Sequence, residues 1–203
     1  MSLFGELRKQ IDEAITYGCF ESAASLTQQG LALARAKGIL GEIEYFQGQM
    51  EILKGNHYEA IGHFDQAIKH NPQDGAAFND RALCMVELGI IEEAFYYFDQ
   101  GILAEPDYAT VYHNKGWLLN KLGRHREAIE YFNKALKIEP ERAVTYENLA
   151  SVQANLRDYQ GALASYRKAI GLLKSGYSDI KEQITIQMKA LEAKVNGPGQ
   201  EVE

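Results

Sequence analysis

Three of the four prolines in this 203-residue chain, Pro72, Pro106 and Pro140, stand 34 residues apart. A fixed period of that length marks stacked copies of one short structural unit. Proline does not carry the period alone. Gly55, Gly89 and Gly123 share it, as do Ala60, Ala94, Ala128 and Ala162. So do Phe64, Phe98, Phe132 and Tyr166, and likewise Ala67, Gly101, Ala135 and Ala169. Five columns in one register are too many for coincidence.

Each column has a physical reason. From Ala109 to Arg142, Tyr112, Gly116, Leu119 and Leu122 recur at helical spacing and predict a first helix. Gly123 follows where that helix must end, because left-handed backbone costs least at glycine. Ala128, Ile129, Phe132, Ala135 and Leu136 then make one face of a second helix. The alanines let two backbones approach closely, and Phe132 fills the gap beside them. Pro140 cannot continue a helix interior, so it closes the unit.

These columns resemble the tetratricopeptide repeat, a helix–turn–helix unit with small residues at its eighth, twentieth and twenty-seventh places. An aromatic at the twenty-fourth and proline at the thirty-second complete the resemblance. It covers four units, 41–74, 75–108, 109–142 and 143–176. It implies an all-α fold, a right-handed superhelical solenoid of helix pairs. Residues 4–40 read as a degenerate further pair, its turn at Gly18 to Ala23, with about three extra residues in an exit loop around Lys37 and Gly38. Over 177–196, Ile180, Ile184, Met188, Leu191 and Val195 stripe a helix that would cap the open apolar face of the last pair. Residues 197–203 read as a disordered tail.

Departures from the pattern carry expectations of their own. Glu44, Gln47 and Glu51 occupy usually apolar places in the helix that opens the 41–74 unit. That predicts a shifted or partly exposed helix. Lys174 replaces the fourth proline and predicts a longer second helix there. Arg157 replaces a turn glycine. Arg81 and Lys115 stand where leucine is common, so their stems are expected to snorkel.

Composition narrows the function. Hydrophobic residues make up 46%, enough to bury a core, and 21 basic against 28 acidic residues give a net charge of −7. An acidic chain argues against nonspecific nucleic-acid binding, which needs a basic face. No apolar run approaches the ~20 residues of a membrane span. Cys19 and Cys84 offer no disulfide framework, which fits a reducing, cytoplasmic setting. The histidines, His57, His63, His70, His113 and His125, lack the four-residue spacing of a helical metal pair. No metal, cofactor or catalytic residue is expected. The glycines sit where repeat geometry needs them, with no phosphate-binding loop, and most aromatics fall on core columns.

The resemblance implies a concave groove, lined by the first helix of each unit, that binds an extended peptide or a partner's helix. Carried onto this chain, the groove places single out Tyr45, Phe46 and Gln49, then Asn79 and Asp80. The third unit supplies His113, Asn114, Trp117 and Lys121, and the fourth Glu147 and Asn148. Asparagine offers donors and an acceptor together, so Asn79, Asn114 and Asn148 are expected to hold a peptide backbone. Tyr45, Phe46 and Trp117 are expected as apolar anchors. One subtype of the family clamps the C-terminal carboxylate of heat-shock chaperones with lysine and arginine. Tyr45, Gln49, Asp80, Thr110 and Asn114 stand in those places here, so that clamp is absent. Glu42, Asp80, Glu87 and Glu147 against Lys121 favour a neutral to basic partner over an acidic C-terminal one. The expected activity is therefore a noncatalytic protein-interaction module. The alternative is a self-assembling scaffold, a homo-oligomer built through the groove or the terminal helix.

Overall fold

The structure, a computed structural model, describes residues 3–196. The expected tail at 197–203 lies outside the described residues. Among the described residues the regular structure is entirely α-helical: α1 (Leu3–Thr16), α2 (Phe20–Lys37), α3 (Leu40–Lys54), α4 (His57–His70), α5 (Gly75–Glu87), α6 (Ile91–Ala104), α7 (Ala109–Lys121), α8 (His125–Ile138), α9 (Ala143–Asn155), α10 (Tyr159–Leu172) and α11 (Ser178–Asn196). The chain forms two compact units, divided between Val111 and Tyr112 within α7.

In the first unit, α1 packs on α2, α3 on α4 and α5 on α6, and α2–α3 and α4–α5 contacts join the pairs. Close approach is what the small residues provide. The Phe46 ring lies where a Cβ on Gly30 would stand, and the Phe64 ring would lie 2.8 Å from a Cβ on Gly48. Phe46, Phe64 and Phe98 are sealed from solvent, with Ala23, Ala60, Ala67 and Ala94 around them. Gly48 thus holds α3 in its column despite Glu44, Gln47 and Glu51 nearby. Asp74 caps α5 by accepting from the Ala77 amide at 3.0 Å.

The extra residues of the first pair lengthen a helix rather than a loop. Helix α2 has 18 residues where α4 and α6 have 14, and Gly38 closes it in the left-handed conformation. The added turn stays helical because its backbone groups are satisfied along the helix, and the Gly38 amide returns to the Arg35 carbonyl.

In the second unit, α8 packs on α9, α9 on α10 and α10 on α11. Phe132 lies against Gly116 and is fully buried with Ala128 and Ala135. Helix α11 turns Ile184 and Leu191 into the core. Arg167 reaches Glu192 at 3.5 Å across the α10–α11 seam.

Two further expectations are corrected here. Helix α10 is no longer than α8, at 14 residues each. Leu173 leaves it in extended conformation and is itself buried, so core packing ends the helix without a proline. Arg81 and Lys115 do not carry their charges out to water. Both are buried; the Arg81 guanidinium lies 3.6 Å from the Tyr97 ring centroid and its Nε donates to Asp65 at 2.6 Å. The Lys115 ammonium lies 4.7 Å from the Tyr131 ring centroid. An aromatic face and a carboxylate replace the water that a snorkelling side chain would seek. Arg157 takes the left-handed turn conformation at φ 63° that glycine holds in the other turns.

Candidate functional site

A cleft of about 250 Å³ opens in the first unit. Helix α1 contributes Arg8, Ile11, Asp12 and Ile15, and α3 contributes Tyr45, Gln49 and Ile52. His57 comes from α4, Asp80, Leu83, Cys84 and Glu87 from α5, and Tyr108 from the turn after α6. The α3 residues recur at helical spacing, which aims them at one side. The walls are largely apolar and the floor is polar.

That floor is a hydrogen-bonded network. The Arg8 guanidinium donates twice to Asp74, at 2.7 and 2.9 Å, and once to Glu42 at 3.0 Å. It also covers the Tyr45 ring at 3.6 Å from the centroid. The Tyr45 hydroxyl donates to Asp80 Oδ2 at 2.7 Å, the Gln49 amide donates to the same oxygen, and Asn79 donates to Asp80 Oδ1 at 2.8 Å. Two buried atoms on cleft-lining side chains have no partner at all, Gln49 Oε1 and His57 Nδ1.

Burial governs the charges. It pushes the Asp80 carboxyl up to about 7, against the hydrogen bonds from Tyr45 and Asn79. Burial raises Tyr45 well above the usual phenol, and the Asp80 charge adds to it. Burial also raises Glu42, with Arg8 opposing. For Arg8 burial works against the cation, but Asp74, Tyr45 and Glu42 outweigh it and hold the guanidinium charged. Burial pushes the Cys84 thiol up to about 12, so this cysteine is an inert wall. Among the described residues, no cluster of His, Cys, Asp and Glu is arranged to hold a metal ion.

The singled-out residues divide sharply. In the first unit Phe46 has no surface to offer, because its ring is packed flat on Gly30. Asn79 is likewise buried, with its amide turned to Asp80. Tyr45 and Gln49 are buried as parts of the cleft floor rather than as protruding anchors. Side chains of α1 meet α3 as well: the Phe4 ring packs against Phe46 at 6.0 Å between centroids, and Arg8 covers Tyr45.

In the second unit Asn114, Trp117, Glu147 and Asn148 are half-buried and Lys121 is exposed. The Lys121 ammonium sits 4.9 Å from the Trp117 ring centroid. Asn148 donates to the Val144 carbonyl at 3.1 Å. Burial raises the Glu147 carboxyl. His113 is buried and bonds Thr145 Oγ1 at 2.9 Å. Burial, with the Arg142 charge added, holds it well below the usual imidazole and therefore neutral. It is a core residue of this unit.

Arg8 and Asp74 escaped the sequence reading. The signal was present: Arg8 precedes Tyr45 by one 34-residue period plus the three extra residues of the first pair. It therefore belongs to the column that continues through Tyr45, Asn79 and His113.

Helix pairs repeating small-into-aromatic packing, with a first-helix face bearing polar side chains, define an α-helical repeat protein of the interaction class. Family profiles described as tetratricopeptide repeat match residues 54–109, 109–142 and 143–172, which together exceed half the chain. The chain belongs to the tetratricopeptide repeat family, a protein-interaction fold.

Its relatives add little finer detail. Hsp70-Hsp90 organizing protein 2 of Arabidopsis thaliana is 38% identical over 69 residues, 29% of this chain. Hsp70-Hsp90 organizing protein 1 of Glycine max is 36% identical over the same length. The match spans only 12% of either relative's own length. Among solved structures, the tetratricopeptide protein TTC0263 of Thermus thermophilus aligns with TM-score 0.69 at 16% identity, covering 93% of this chain and 98% of that one. MamA aligns with TM-score 0.57 at 18% identity, covering 83% and 91%. YrrB, described as having an unusual peptide-binding site, aligns with TM-score 0.58 at 17% identity, covering 89% and 88%. At these identities the likeness is one of fold. Among the described residues, no helix is long and apolar enough to cross a membrane.

Proposed function

We propose that this protein is a noncatalytic adaptor that binds an extended segment or helix of another protein on the exposed faces of its first helices. The observation that carries the reading is the trio Asn114, Trp117 and Asn148. These half-buried side chains stand on the first helices of two successive repeats. The asparagines would hold the partner's backbone, and Trp117 would be its apolar anchor. Lys121 and Glu147 would flank the bound segment.

The partner is neutral to basic rather than an acidic C-terminal tail. Thr110 and Asn114 supply no cation at the places where a carboxylate clamp would need one. In the first unit Arg8 is already engaged by Asp74 and Glu42. The chaperone-organizing names of the plant relatives do support a partner in protein assembly, and a chaperone tail is the competing ligand.

A paired pull-down from the native host's lysate tests this, using wild-type chain and Asn114→Ala/Asn148→Ala with circular dichroism confirming equal helicity. The expected result is a partner held by wild type and lost by the double variant. Identical catches would overturn the reading. Recovery of a chaperone through its acidic tail would overturn the charge preference.

A further inference from the structure

Resting on the adaptor reading, we infer that the cleft in the first unit is a pocket for a primary ammonium on an aliphatic stem, a lysine side chain of the bound segment. Gln49 is only 4% exposed, yet its Oε1 has no partner and its side chain lines the cleft. An unmet acceptor at that depth is costly, and a donor arriving in the cleft would recover much of that cost. Asp12, Asp80 and Glu87 line the same space, while the facing guanidinium of Arg8 is offset by Asp74 and Glu42. The cleft therefore favours a cation. Ile11, Ile15, Ile52 and Leu83 provide walls for methylenes.

The geometry selects ammonium over guanidinium. A guanidinium binds best through a bidentate edge of one carboxylate. Both Asp80 oxygens already accept hydrogen bonds, from Tyr45 and Gln49 on one and Asn79 on the other. What remains at depth is single acceptors, Gln49 Oε1 and one lone pair on Asp80 Oδ1, with the exposed Glu87 carboxylate lining the same space, which suits the point charge and three donors of lysine.

The probes are capped pentapeptides, Ala-Ala-Lys-Ala-Ala and its norleucine counterpart, titrated into the whole 15N-labelled chain by NMR. Norleucine keeps the stem and lacks the charge. The lysine peptide is expected to move the Gln49 side-chain amide saturably and to bind at least tenfold more tightly than norleucine. Glu87→Gln and Gln49→Met are each expected to weaken lysine binding several-fold and leave norleucine binding unchanged. Equal binding of the two peptides, shifts that fall outside the cleft, or no saturable shift would each overturn the inference. If Gln49→Met loses helicity, Glu87→Gln at its exposed site decides alone. The adaptor reading fails separately, through the Asn114 and Asn148 variants of the second unit.

Discussion

Asp80 concentrates what one residue can do in this protein. Three hydrogen-bond donors reach it, none of them a cation, and burial still lifts its carboxyl to about 7. A folded-state value above the ordinary 3.8 means that the folded chain holds this proton more tightly than the unfolded chain. The contribution to stability is complete at low pH and is lost as pH rises toward 7. Between pH 5 and 8 the stability of wild type relative to Asp80→Asn is expected to fall by up to about 3 kcal/mol, measured by urea unfolding at each pH. A difference that stays flat with pH would show that Asp80 is ionised throughout. The carboxyl itself was legible as a first-helix polar residue. Its burial was not, because Tyr45 and Gln49 of α3 reach over it, and no spacing rule reports what another helix covers.

Among the elements, α1 is tied to two others by one side chain. Arg8 ties it to α3 through Glu42 and Tyr45, and to the cap of α5 through Asp74. Replacing Arg8 with Met would leave two carboxylates in a mostly buried place without their cation. The expected cost is about 3–5 kcal/mol, seen as lost hydrogen-exchange protection across α1 and a lower melting temperature of the first unit. Unchanged protection would mean that the apolar contacts of Phe4 and Ile11 hold the helix unaided. The helices with five-column repeats were readable almost residue by residue: the alanine and aromatic columns stand for contacts found in the fold, and the glycine column for left-handed turns. The first pair was harder because three extra residues displace its register. They extend α2 by a turn, since a helix can absorb residues at its end without disturbing the small-into-large contact of Gly30 and Phe46. The end of α10 escaped for a different reason. Burial of Leu173, a tertiary effect, stops that helix where proline stops the others.

At the scale of the whole molecule the period and the net charge of −7 carry the functional argument. If the partner is basic, as proposed, that charge should draw it in, so its association rate should fall several-fold as salt rises from about 0.05 to 0.5 M, with dissociation changing less. Stopped-flow mixing with the captured partner measures this, and a rate that rises with salt would identify an acidic ligand instead. The period revealed the family, because one repeat predicts the next. Chemistry that depends on a departure from the repeat, such as Arg8 at its shifted position, lay outside that logic. The same arginine has a mechanical consequence. Tension applied to α1 would load α3 and the start of α5 together, because one guanidinium grips Glu42 and Asp74, residues 34 and 66 positions away. Stacked helix pairs ordinarily peel away in succession under a stretching force. Here the first three pairs should yield in one larger rupture, as a knot of charge turns a zipper into a rivet.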